Sequence, residues 1–133
     1  MALSCEDRMA ISELLALYGH LCDSGELDRL HEVFTIDVTY DVTALGGGVL
    51  EGTAACAEAG RALGDANPVG HHVTNIVLTE DGAGRVRALS KGIGVNADGT
   101  AGSVTYDDTV VRVRGHWRIG HRKVSLRRTP LVA

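Results

Sequence analysis

Residues 70–127 read GHHVTNIVLTEDGAGRVRALSKGIGVNADGTAGSVTYDDTVVRVRGHWRIGHRKVSLR, and the punctuation of this stretch decides the fold. Breaks at Asp81-Gly82, Asp98-Gly99 and Arg114-Gly115 divide a β-rich run into four segments, about Gly70–Glu80, Arg85–Asn96, Gly102–Arg114 and His116–Arg127. Short connections of this kind join antiparallel neighbours, so the stretch predicts a four-stranded meander. Simple alternation puts Val73 and Val77 on one face and Ile76 and Leu78 on the other. One apolar face can pack helices and line a cavity. The other needs cover, and association of two copies is the economical way to supply it, so a homodimer is expected.

Upstream of this run the pattern is helical. Ser4 with Asp7 three residues on is a carboxylate variant of the capping box, and Ile11, Leu14, Leu15, Tyr18, Leu21 and Cys22 follow at helical spacing. Asp23-Ser24-Gly25 ends that helix, because glycine permits the left-handed turn. A short second helix is expected over Glu26–Phe34, a strand over Asp37–Val42, and a third helix over Ala54–Leu63 capped by Thr53. Helices first and a long sheet afterwards make an α+β domain. At 133 residues one domain spanning 1–133 is expected, since two cores would each be too small.

Composition excludes several classes. No apolar run reaches the ~18 residues of a membrane span, and Met1–Asp7 lacks the basic start of a signal peptide, so a cytoplasmic protein is expected. Net charge is −4, with few aromatics to stack bases, which points away from nucleic acid despite the acid-free, arginine-rich residues 109–133. Cys5, Cys22 and Cys56 form no CxxC, and no HxH or HExxH occurs, so neither a metal nor a disulfide is expected. Gly46-Gly47-Gly48 lacks the lysine and spacing of a phosphate loop, and no cofactor is expected.

The chemistry-bearing candidates are few. Neighbouring strand residues face opposite ways, so only one of His71 and His72 can enter a site. An imidazole working as a base needs an orienting carboxylate, and Asp23 at the end of the first helix can supply it. Tyr18, Tyr40 and Tyr106 are all the tyrosines, each on an element able to border a cavity where a phenol could donate to an oxyanion; packing explains them equally well. Arg122 could hold an anion or leaving group, although strand arginines are mostly solvated. Of Asp107 and Asp108 at most one points inward, and a surface pair is expected.

In their order, Ile11-Ser12-Glu13-Leu14 through Tyr18, Cys22 through Leu30, Val38-Thr39-Tyr40, His71 through Asn75, and Gly115 through Ile119 before Arg122 resemble the SnoaL-like branch of the nuclear transport factor 2-like superfamily, over about residues 5 to 128. The resemblance implies a conical barrel: a curved, mostly antiparallel sheet packed on three helices from the first half, around a deep apolar pocket. Its Asp–His members, scytalone dehydratase and hexachlorocyclohexane dehydrochlorinase, imply a general-base pair at Asp23 and His71. Tyr40 and Arg122 fall on further site positions of those two. The dehydratase's second catalytic histidine has no counterpart, Ser90 or Lys91 standing in that neighbourhood; its asparagine gives way around Tyr106, and the dehydrochlorinase's lysine near Tyr18 is missing.

Together these readings lead to a cofactor-free lyase or isomerase (a dehydratase, ketone isomerase or polyketide-type cyclase) acting on an apolar small molecule in an aliphatic cavity. Two alternatives stand beside it. One is epoxide opening, with Asp108 and Arg122 or Arg112 recruited. The other is a non-catalytic ligand-binding module or partner subunit.

Overall fold

A computed structural model describes residues 2–82 and 84–131. Helix α1 (Cys5–Asp23) opens with the expected capping box: the Asp7 N–H donates to Ser4 Oγ at 3.0 Å and the Ser4 N–H to the Asp7 carboxylate at 3.4 Å. Ile11, Leu14, Leu15 and Leu21 are buried along it. The next element is shorter than expected. Residues Leu27–Glu32 form a 3-10 helix that stops before Val33, because the Val33 carbonyl accepts from the Ile119 N–H at 2.8 Å and the chain is drawn into the sheet. Strand β1 therefore begins at Phe34 and runs to Asp41.

A two-stranded return to β2 (Val49–Glu51) leads to helix α2 (Thr53–Leu63). Thr53 is the first helical residue and not the cap. Gly52 caps instead, in a left-handed conformation (φ 90°) with no side-chain bond, its N–H given to the Val38 carbonyl at 2.7 Å. The meander follows as β3 (Gly70–Glu80), β4 (Arg85–Val95), β5 (Ala101–Val113) and β6 (His116–Ser125). Sheet order is β2-β1-β6-β5-β4-β3, antiparallel throughout except where β1 lies parallel to β6. The result is a curved mixed sheet packed on α1, α2 and the 3-10 helix Leu27–Glu32, an α+β architecture. None of the described helices is long and apolar enough to cross a membrane.

One irregularity changes the facing of β3. Thr74 pairs with Lys91 and Val77 with Leu89, so Asn75 and Ile76 together oppose Ser90 alone. Asn75 takes the left-handed backbone (φ 55°) that such a bulge requires. The extra residue reverses the alternation beyond it. Val73, Ile76 and Leu78 all pack against the core, and Val77 is left 59% exposed. The two apolar faces expected for β3 are thus largely one, with Val77, Leu89 and Ile93 remaining on the outward side of β3 and β4.

Aspartates tie α1 to the sheet at both ends. At its start Asp7 accepts from Arg112 Nη2 at 2.6 Å and Trp117 Nε1 at 3.2 Å, pinning it to the β5–β6 hairpin. At its finish Asp23 binds β3.

Candidate active site

Asp23 is the last residue of α1, where the helix dipole disfavours a carboxylate. Its place is explained by what it binds. Both carboxylate oxygens lie 3.0 Å from the His71 backbone N–H, and Oδ1 is 2.6 Å from His71 Nδ1. That approach depends on Gly19, one turn earlier on the same face: a Cβ there would sit 2.7 Å from the His71 carbonyl oxygen. The helix can press onto β3 only because this position is bare. With Nδ1 engaged, Nε2 on the far edge of the ring has no hydrogen-bond partner among the described residues. The pair sits at a rim, the His71 and Asp23 side chains being 19% and 29% exposed. His72 points the other way and is exposed.

Behind His71 lies a nest of rings. The Tyr18 ring is 6.3 Å from His71, 5.6 Å from Phe34, 6.4 Å from Tyr40 and 6.2 Å from Tyr106, centre to centre. The Tyr18 and Tyr40 hydroxyls are bonded to each other at 3.0 Å. The Tyr106 hydroxyl has no such partner among the described residues; its ring leans across Gly92, where any Cβ would come within 2.4 Å of it. Burial raises the pKa of all three phenols above the ordinary tyrosine value, so they remain protonated donors at neutral pH. Burial also raises the thiol of Cys22, beside Tyr18. An aliphatic lining was expected from the scarcity of aromatics. Yet four of the five residues of that class converge here, so the interior behind His71 is aromatic and hydroxylic.

Arg122 is the centre of this nest. It is fully buried, its guanidinium carbon 4.1 Å from the Tyr106 ring centre and 4.6 Å from that of Tyr18. Asp108 neutralises it with two parallel bonds, Nε to Oδ1 at 2.7 Å and Nη2 to Oδ2 at 2.9 Å. Burial alone would discharge the guanidinium, but the adjoining carboxylate outweighs it and keeps its pKa well above the usual arginine value. The expectation of a surface Asp107-Asp108 pair is corrected for Asp108, which is 0% exposed. Alternation from buried Tyr106 through Asp108 to buried Val110 carries it inward. Asp107 does face out, bound to Arg87.

Pairing registers align these side chains in one inward row across the sheet: Leu78, Ala88, Asp108, Arg122, Tyr40 and Leu50. The next row carries Ser90, Tyr106 and Val124. Two polar atoms on these rows are buried without a hydrogen-bond partner, Arg122 Nη1 and Ser90 Oγ. Surface grooves exist elsewhere. One of about 440 Å³ lies over α1 and Trp117, and one of about 240 Å³ lies beside α2; neither touches Asp23 or His71. Among the described residues no three His, Cys, Asp or Glu side chains converge as a metal site would need.

Residues 4–123 match the family model of the SnoaL-like domain. The chain belongs to that family. Solved structures resembling this SnoaL-like domain include a protein of unknown function with a cystatin-like fold from Nostoc punctiforme (19% identity, 97% of each chain covered, TM-score 0.82). A Novosphingobium aromaticivorans protein provisionally described as an aromatic ring hydroxylase shares 28% identity over 98% of this chain and 95% of that one (TM-score 0.77). Another from that organism, provisionally described as a scytalone dehydratase, shares 21% over 91% and 84% (TM-score 0.71). No curated protein matches the SnoaL-like domain described here.

Of the residues singled out from sequence, Asp23 and His71 meet directly, and Tyr18, Tyr40, Tyr106 and Arg122 pack together behind them. Gly19 was not singled out, although a glycine four residues before a helix-terminal acid is a readable sign of close approach. Asp108 was legible too, from the two-residue period that runs through Tyr106.

Proposed function

We propose that this SnoaL-like domain is a cofactor-independent enzyme that removes a proton from carbon beside a carbonyl group, as a lyase or isomerase does. One observation carries the reading: the 2.6 Å contact of Asp23 with His71 Nδ1, which leaves Nε2 unbonded. A carboxylate on Nδ1 favours the tautomer whose proton sits there, so Nε2 presents a lone pair. In the reaction Nε2 takes the carbon-bound proton and the C–H electron pair moves onto the carbonyl oxygen. Asp23 then stabilises the imidazolium so formed. In the Tyr18–Tyr40 pair one O–H is spent on its neighbour and the other remains free. That hydroxyl, the Tyr106 hydroxyl and Arg122 Nη1 are the donors available to the developing enolate. Loss of a β-substituent or return of the proton to another carbon completes an elimination or an isomerisation.

The epoxide-opening alternative draws no support from Asp108, because both of its oxygens are committed to Arg122. A non-catalytic partner-subunit role is favoured by the tight ring packing, which leaves Tyr40 and Tyr106 only 7% and 6% exposed. Deuterium exchange separates the two. In heavy water the native protein should exchange the α-hydrogens of a bound aromatic ketone, read by mass spectrometry. His71→Ala and Asp23→Asn should each slow exchange about 10²–10⁴-fold. Gly19→Ala should slow it as well, by lifting Asp23 from His71. Binding without exchange by the native protein would leave the non-catalytic reading standing.

A further inference from the structure

The groove of about 440 Å³ between α1 and the start of β6 is bordered by an arginine with no acidic partner. Three arginines are withdrawn from full exposure: Arg29, Arg118 and Arg122. Arg29 binds Glu26 and Glu32, and Arg122 binds Asp108. Arg118 pairs with no carboxylate among the described residues. Its Nε donates to the His31 carbonyl at 3.1 Å and its Nη1 to the Trp117 carbonyl at 2.7 Å. Two backbone oxygens thus fix the guanidinium, yet its charge stays unbalanced and Nη2 has no hydrogen-bond partner among the described residues. A half-buried charge is costly unless an opposite charge meets it, so this position favours an anion.

The rest of the groove sets the body of the guest. Leu14, Leu17 and the Trp117 ring supply its apolar lining. Trp117 is held in place, with Arg112 stacked 4.4 Å from its ring centre and Nε1 bonded to Asp7 at 3.2 Å. His20 and His116 stand at the rim with Arg118, against a single acid, Glu13. The volume is that of a small-molecule site, for which ~300–1,000 Å³ is usual. The geometry points to this groove as a second ligand site, taking an organic acid whose carboxylate meets Arg118 and whose apolar chain lies along Leu14, Leu17 and Trp117. It lies apart from Asp23 and His71, and it goes beyond the proton-abstraction reading without depending on it.

The test uses octanoate, octanol and octylammonium, one chain with three head groups. Trp117 is the only tryptophan, so its emission reports on the groove directly, and calorimetry gives the affinities. Octanoate should shift the emission saturably and bind at least about tenfold more tightly than octylammonium. Arg118→Gln should weaken octanoate about 5- to 50-fold, the value of one charge-assisted hydrogen bond open to water on one side, and leave octanol unchanged. His116→Glu, a change at an exposed position, should also weaken octanoate and serves where Arg118→Gln does not fold. His71→Ala should bind octanoate as the native protein does, so failure here and failure of proton abstraction are separate results. The proposal is overturned by an emission that does not shift saturably, by octylammonium binding as tightly, or by native octanoate affinity in folded Arg118→Gln or in His116→Glu. Equal weakening of octanol and octanoate overturns it too, since packing and not charge would then be the cause. Loss of octanoate binding in His71→Ala would place the acid at the candidate active site and overturn the second site.

Discussion

Asp107 and Asp108 are neighbours in one strand, and each binds an arginine through two parallel hydrogen bonds of 2.7 to 2.9 Å. The Arg87–Asp107 side chains are 53% and 41% exposed; those of Arg122 and Asp108 are 0%. Geometry is shared and surroundings are opposite. On the outside, water solvates either ion almost as well as its partner does, so the pair adds little to stability. Inside, neither ion could stand without the other, and what the pair does is hold a charged, hydrogen-bonding group where water does not reach. The two aspartates therefore differ in role because of the face they occupy and not because of their chemistry.

The contrast is most sharply tested by breaking the inner pair. Arg122→Ala should lower unfolding free energy by about 3–5 kcal/mol in urea titration, since Asp108 is left buried and unbalanced. Replacing both together, Arg122→Met with Asp108→Leu, should recover much of that loss while slowing exchange of the ketone's α-hydrogens. Survival of native exchange rates in the double variant would show that the pair is only packing. Next in size is a pH effect confined to the interior. Tyr18, Tyr40 and Tyr106 are the whole tyrosine content, and burial raises each above 10.0. Ultraviolet titration of the folded protein at pH 10.0 should thus show less phenolate than the half-ionisation of an ordinary tyrosine. The unfolded chain loses these protons first, so the phenol contribution to stability is intact below about pH 10 and declines as pH rises further. Smallest is Arg87→Ala, for which urea titration should show no resolvable change. A large loss there would erase the distinction between the two faces.

Much of this was legible in the chain. The Asp-Gly and Arg-Gly breaks set out four strands that the structure reproduces to within about two residues at each end. The capping box of α1 and the helical stripe through Tyr18 also stand as read. Local rules failed where a distant partner intervened. The helix expected through Phe34 ends early because β6 captures Val33, and Gly52 displaces Thr53 as the cap of α2. The facing of β3 was misjudged beyond Asn75, since one bulged residue inverts every later position.

What the sequence alone determined is the order of elements, because turn chemistry and apolar period act between residues close along the chain. It also supplied an acid at the end of one helix and a histidine at the start of one strand. Their meeting across 48 residues was decided only by the fold, through a bare Gly19 that lets helix and strand touch. Gathering three tyrosines, a phenylalanine and a neutralised arginine behind them likewise required the curved sheet. Strands far apart in the chain share one concave face there, and no local pattern encodes which side chains a curved surface brings together.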